Sequence, residues 1–181
     1  MSCWTSDKLF SSASVEWATP QWLFDQIDEE FNIVLDASAT AQNAKCPQFL
    51  TPEQDALSCE WGPMAPGGGS IWLNPPWGRG VGEWVKKAYD QSSAHKATVV
   101  CLLPSNTDTR WWHDYVMRAY EVRFIKGRLK FIRSDGHTGP CPKGAAIVVF
   151  DCDPPTFGQQ ASLGPVTRNR TPRTEPEFST F

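Results

Sequence analysis

Ile71-Trp72-Leu73-Asn74-Pro75-Pro76-Trp77 is a short apolar strand that runs straight into two prolines, and the rest of the sheet can be placed around it. Two prolines in series fix φ, and the first biases Asn74 away from the helical region, so the chain leaves the strand stiffly extended. The Asn74 side-chain oxygen and nearby main-chain carbonyls then project beyond the carboxyl end of a strand, where open α/β sheets bind ligands. Fixed acceptors converging there can hold an amino group and align its lone pair, and an aromatic at the fourth position can stack on a planar base. The plain structural alternative is a rigid turn capped by a packing tryptophan. With Pro at about 5% of average usage, an Asn/Asp-Pro-Pro-aromatic tetrapeptide arises by chance in on the order of a few chains per thousand of this length.

Upstream, Thr19-Pro20 predicts a helix start, with Thr as N-cap and Pro at the first helical position. Leu23, Ile27 and Phe31 recur at spacing four and carry that helix to about Phe31. Ile33-Val34-Leu35 is a second short strand, ending in Asp36, and residues 37–70 read as mostly irregular, with Gly67-Gly68-Gly69 a flexible stretch. Downstream, Val81, Trp84, Val85, Ala88 and Tyr89 fall on one helical face. Ala97 to Leu103 is a continuous apolar run stopped by Pro104, which suits a strand covered on both faces. A helix is expected from about Asp108 to Tyr120, with Trp112, Val116 and Ala119 on one side, then strands near 121–125, 128–132 and 145–150. Alternating strands and helices with a strand-rich end predict an α/β fold, its sheet mostly parallel with an antiparallel finish. Residues 1–16 read as polar and loose. After Cys152 the composition shifts to Pro, Thr, Arg and Gly, so the expectation is one domain over 1–153 and a disordered or loosely packed tail over 154–181.

A length of 181 residues suits one well-buried domain, and 40% hydrophobic with 20% charged residues describes a globular chain. No uncharged apolar run approaches the roughly 20 residues of a membrane helix. Met1-Ser2-Cys3-Trp4 lacks the basic start and apolar core of a secretory signal, so a cytoplasmic location is expected. Cysteines at 3, 46, 59, 101, 141 and 152 form no Cys-x-x-Cys pair, and His95, His113 and His137 are scattered, so no metal site is expected. The net charge of −3 hides an uneven distribution. Arg118, Arg123, Lys126, Arg128, Lys130 and Arg133 face a single acid, Glu121, so the segment 118–133 carries +5 and the remainder −8. Local charge is what a phosphate backbone meets, so an acidic total does not exclude a nucleic-acid partner.

The tetrapeptide in its setting resembles the catalytic motif of methyltransferases that act on exocyclic amino groups, and the wider pattern is similar to the phage-type Dam family of N-6 adenine DNA methyltransferases. The matching pieces are Trp17-Ala18-Thr19-Pro20, Leu35-Asp36-Ala37, Asn43-Ala44-Lys45-Cys46, Asp55-Ala56-Leu57 and Asn74-Pro75-Pro76-Trp77. They continue with Leu102-Leu103-Pro104, Thr107-Asp108-Thr109, Trp111-Trp112-His113 and the stretch Val122 to Phe131. The resemblance runs from about 17 to 150. It implies a Rossmann-like class I methyltransferase fold, S-adenosylmethionine as methyl donor, and the 6-amino group of adenine in double-stranded DNA as acceptor. Asn74 and the Pro75 carbonyl would accept hydrogen bonds from the flipped base, held by Asn74-Pro75-Pro76-Trp77 with Trp77 stacked on its ring. No metal or covalent enzyme intermediate is needed, because orientation and preorganised dipoles can supply the rate.

For the donor, Asp36 at a strand end and Asp55 in the loop before the catalytic strand are the carboxylates expected to accept from ribose hydroxyls, an adenine amino group or a methionine ammonium. Thr19, Pro20, Ala37, Ala39, Asn43 and Asn74 complete the implied donor set. Asp36-Ala37-Ser38-Ala39-Thr40-Ala41 replaces the glycine-rich turn of larger methyltransferases. Only 38 positions separate Asp36 from Asn74, too few for two helix-strand units, so a pared-down donor pocket and no separate target-recognition domain are expected. DNA contacts would come from Arg79, Lys126, Arg128 and Lys130, since Arg128 and Lys130 alternate with the apolar Leu129 and Phe131. Trp111 and Trp112 read as core.

Two other patterns carry little. Gly78-Arg79-Gly80-Val81-Gly82 lacks the third glycine of a dinucleotide loop and does not follow a strand directly. His113-Asp114 are helix neighbours with no Gly-x-Ser-x-Gly elbow to serve. The competing functions are methylation of RNA or of a protein glutamine by the same tetrapeptide, and a DNA-binding protein that has lost catalysis. A monomer is the expected state.

Overall fold

The computed structural model describes residues 17–133, 138–141 and 143–151. The expectations for residues 1–16 and for the tail over 154–181 lie outside these described residues. The elements in chain order are β1 (Trp17–Ala18), α1 (Gln21–Phe31), β2 (Ile33–Asp36), β3 (Ser70–Leu73), α2 (Val81–His95) and β4 (Val99–Pro104). They are followed by α3 (Arg110–Asp114), β5 (Glu121–Phe124), β6 (Lys130–Arg133), β7 (Thr138–Pro140) and β8 (Ala145–Phe150).

The main sheet has the order β2-β3-β4-β8-β5. β2, β3 and β4 pair in parallel, whereas β8 is antiparallel to both β4 and β5. Four strands therefore point one way and β8 alone is reversed, which gives the expected parallel beginning and antiparallel finish. β3, β4 and β8 are buried throughout, because both faces are covered there, whereas β5 at the edge is only partly buried. Side chains alternate between two cores: Ile71, Leu73, Val99, Cys101, Leu103, Ala146, Val148 and Phe150 meet α2 and α3 on one face. Trp72, Val100, Leu102, Ala145, Ile147 and Val149 meet Leu23, Phe24 and Ile27 of α1 on the other. A period of two along each strand explains this division. Ile33 and Leu35 break it, one in each core, because a register irregularity between them shifts the pleat.

Three sequence expectations are corrected. The segment near 128–132 does not join the main sheet; β6 lies between β1 and β7 in a separate antiparallel sheet. Gly127, at φ +84°, turns the chain there, and Leu129 and Phe131 then close over the α1-side core. The helix expected over 108–120 is only five residues long, followed by a 3-10 turn at Val116–Arg118, because Tyr115 leaves helical geometry at φ −124°, ψ −53°. Trp112 and Val116 are nonetheless buried together, and Trp111 packs beside them. Finally, Thr19 is not an N-cap. α1 begins one residue later with Pro20 at the cap, and the Pro20 carbonyl accepts from the Leu23 and Phe24 N–H groups at 3.0 and 3.2 Å.

The stretch between β2 and β3 is irregular, as expected, but it is tied down. Trp61 is fully buried, donates from Nε1 to the Ala56 carbonyl at 2.7 Å, and donates from its main-chain N–H to Gln91 Oε1 on α2 at 2.6 Å. Gly62 donates to the same oxygen at 3.2 Å. Any Cβ on Gly62 would sit 2.2 Å from Cβ of His95, so the backbone reaches α2 only because the side chain is missing.

Candidate active site

β2 and β3 are adjacent parallel strands, so Asp36 and Asn74 emerge side by side at one end of the sheet. This is the carboxyl edge, where the strand-end rule places ligands. A polar cleft opens there, lined by Ala18, Thr19, Asp36, Ser38, Asn43, Lys45, Trp72 and Asn74.

Thr19 enters the cleft from the start of α1. It is buried, and its hydroxyl accepts a hydrogen bond from Asn74 Nδ2 at 3.2 Å. That bond commits the amide nitrogen to Thr19 and makes Oδ1 the acceptor end of the side chain. The following prolines differ: Pro75 is buried and Pro76 exposed. The Pro76 carbonyl accepts from the Gly78 N–H at 3.0 Å, whereas the Pro75 carbonyl accepts no hydrogen bond from the described residues. Trp77 is half-buried, donates from Nε1 to the Leu102 carbonyl at 3.3 Å, and meets the Phe131 ring edge-on with centroids 5.2 Å apart. A hydrogen bond and a T-shaped contact together fix the indole plane.

Asp36 is 2% exposed. Its carboxylate accepts from the main-chain N–H groups of Ser38 at 3.2 Å and Lys45 at 3.1 Å. Burial outweighs these bonds and pushes its pKa up to about 6. The loop supplying Ser38, Asn43 and Lys45 is pinned at both ends. The Asp36 N–H donates to the Gln48 carbonyl at 3.0 Å and the Asp36 carbonyl accepts from the Leu50 N–H at 2.9 Å, a strand-like bridge opposite Phe49, and Ala39 donates to the Leu50 carbonyl at 3.0 Å. Asn43 closes a turn by accepting from the Thr40 N–H at 2.7 Å. Lys45 Nζ donates to Gln21 Oε1 at 3.0 Å, and burial holds its pKa below the ordinary lysine value despite the opposing charges of Asp36 and Asp25. Beside it, burial and then the Asp36 and Asp28 charges push the Cys46 thiol up to about 12, which leaves it an inert packing group.

Of the donor set expected from sequence, Thr19, Asp36, Asn43 and Asn74 come together in this cleft. Ala37 and Ala39 are buried behind them, and Pro20 is buried at the head of α1. Asp55 is not among the cleft-lining residues: it is exposed, caps a 3-10 turn at φ +47°, and accepts from Ser58 Oγ at 2.5 Å. Ser38 and Lys45 line the cleft without having been singled out. Lys45 stood inside a matching tetrapeptide, but nothing in its local sequence marked its main-chain N–H as a partner of the Asp36 carboxylate.

Arg79, Lys126, Arg128 and Lys130 are exposed, while Leu129 and Phe131 are buried, which is the alternation expected along that strand. β6 pairs with β1, whose Ala18 lines the cleft, and its Phe131 touches Trp77. The basic segment leading into β6 thus flanks the Asn74-Pro75-Pro76-Trp77 loop. Arg123 does not contribute to this basic surface, because its guanidinium bridges Glu30 of α1 and Glu121.

A family model described as DNA N-6-adenine-methyltransferase (Dam) matches residues 7–170. A DNA N-6-adenine-methyltransferase of Haemophilus phage HP1 is 35% identical over 140 residues, covering 75% of this chain and 78% of that protein. A protein of the same name from Escherichia phage T1 is 30% identical over 144 residues, covering 71% of this chain and 57% of its own length.

Proposed function

Since the chain belongs to the DNA N-6-adenine-methyltransferase (Dam) family, we propose that it transfers a methyl group from S-adenosylmethionine to the 6-amino group of adenine in double-stranded DNA. The observation that carries this reading is the Asn74 amide, oriented by Thr19 at the carboxyl edge of the sheet, next to a polar cleft containing Asp36. We place the fold among Rossmann-like class I methyltransferases in a shortened form. In support, the reversed β8 lies between β4 and β5, and no helix-strand unit separates β2 from β3 among the described residues.

The cleft suits the donor chemically. It offers carboxylate, amide and hydroxyl acceptors and one cation, which matches a ligand bearing hydroxyls, an ammonium and a carboxylate. Thr19, Asp36, Ser38, Asn43 and Asn74 would hold it, and the donor supplies an electrophilic methyl group on a sulfonium. Asn74 Oδ1 and the Pro75 carbonyl accept from the 6-amino group of a base flipped out of the duplex, which aims its lone pair at the methyl and disperses the positive charge that develops on nitrogen. Trp77, with its plane already fixed, stacks on the base. Arg79, Lys126, Arg128 and Lys130 meet phosphates beside the loop and set the register of the duplex without reading sequence. Asp55 does not line this cleft, and we assign it to shaping the loop between β2 and β3, where it caps an exposed 3-10 turn.

The test is methyl transfer from labelled S-adenosylmethionine with unmethylated duplex DNA, structured RNA and a protein extract in parallel. Label is expected in DNA alone. Label in RNA or protein instead would transfer the same site to a different amino group.

A further inference from the structure

We propose that Lys45 binds the α-carboxylate of the donor's methionine part, and so selects the intact amino acid end of the molecule. This inference rests on the cleft being the donor site. Among the residues lining the cleft, Lys45 is the only cation and Asp36 the only anion. The two are built into one cradle, since the Lys45 main-chain N–H donates to the Asp36 carboxylate at 3.1 Å. Yet their side chains form no ion pair within the described residues. Each Asp36 oxygen accepts from one main-chain N–H group, and the Lys45 ammonium donates to the Gln21 Oε1 at 3.0 Å.

The Asp36 and Asp25 charges act on this half-buried ammonium, but neither forms an ion pair with it within the described residues, and the Gln21 amide oxygen uses only part of its three-donor capacity. Gln21 stands in the first turn of α1, so the positive end of that helix adds potential of the same sign. A zwitterion fits the separated charges of the cradle. A DNA phosphate could also pair with a lysine, but the basic segment proposed to meet DNA leads into β6, whereas Lys45 belongs to the loop whose main chain donates to Asp36.

The experiment is calorimetric titration of the DNA-free protein with S-adenosylmethionine and with its decarboxylated form, which keeps the sulfonium, ribose, adenine and ammonium. The wild type is expected to bind the decarboxylated form about ten- to a hundredfold more weakly. Lys45→Met is expected to lose the same factor for S-adenosylmethionine and to bind the decarboxylated form at least as well as the wild type does. Lys45→Arg should recover part of the preference, which separates a charge role from a packing role. A wild type that does not distinguish the two ligands would overturn the proposal, whatever the variants do. So would a Lys45→Met protein that keeps the wild-type preference. In both cases donor binding itself would stand. Binding of neither ligand by the wild type would instead remove the donor site and this inference with it.

Discussion

The Asn74 side chain has one correct orientation for holding an amino group, and a threonine 55 residues earlier in the chain sets it. Asn74→Ala is expected to leave the circular dichroism spectrum unchanged and to abolish methyl transfer, since a single preorganised polar contact in a transition state is worth on the order of 10² to 10³ in rate. Thr19→Val keeps the buried shape but removes the hydroxyl, freeing the amide to rotate. Transfer should fall about tenfold, the loss expected for one hydrogen bond, and donor affinity should weaken as well, because the same hydroxyl lines the proposed donor cleft. Asn74 was legible because two prolines after an apolar strand have few other uses. Its partner was not. Thr before Pro also reads as a helix cap, and local capping rules cannot reveal that a hydroxyl is used across the sheet instead. Asp36 was legible as a polar residue ending an apolar strand. Asp55 had the same local appearance, and only the fold separates a strand end from the cap of an exposed 3-10 turn.

At the scale of elements, the stretch from β5 to β6 crosses from one sheet to the other, and we assign its basic residues two tasks. Lys126→Ala, Arg128→Ala and Lys130→Ala together are expected to lower the slope of log affinity for DNA against log salt by about 2–3, close to one released counterion per phosphate contact. Arg123→Ala should leave that slope unchanged and lower the melting temperature, because Arg123 ties β5 to α1 through Glu30 and Glu121. The charge count along 118–133 could not make this division, since pairing with Glu30 depends on strand order. The loop between β2 and β3 depends on α2 in a similar way. Gln91 is buried and accepts from two main-chain N–H groups, those of Trp61 and Gly62. Gln91→Met would strand both donors, and chemical denaturation should report a loss of about 2–3 kcal/mol. Strand and helix positions in the parallel half followed from apolar periodicity, which is strong where both faces are buried. The short α3 and the separate small sheet did not, because Tyr115 and Gly127 act through backbone geometry that periodicity does not record.

For the whole molecule, the cleft at Asp36 is a place where folding has stored an unfavourable charge. Burial raises the Asp36 pKa from 3.8 to about 6, so between those values the folded chain holds more protons than the unfolded one. Stability contributed by this group is therefore present at low pH and is lost as pH rises through that window, by about 2–3 kcal/mol. A bound donor whose hydrogen-bond donors face the carboxylate offsets the loss only where Asp36 is ionised. Saturating S-adenosylmethionine is thus expected to raise the melting temperature by several degrees more at pH 7.5 than at pH 5. An equal rise at both values would mean that Asp36 does not face the donor.

The central claim is that the Asn74 cleft presents the 6-amino group of adenine to the methyl donor. Its most direct test is to methylate unmethylated duplex DNA with labelled S-adenosylmethionine, digest it to nucleosides and separate them. The account requires the label in N-6-methyladenine, and its disappearance with Asn74→Ala. Label in a methylated cytosine, or undiminished label with Asn74→Ala, would contradict it.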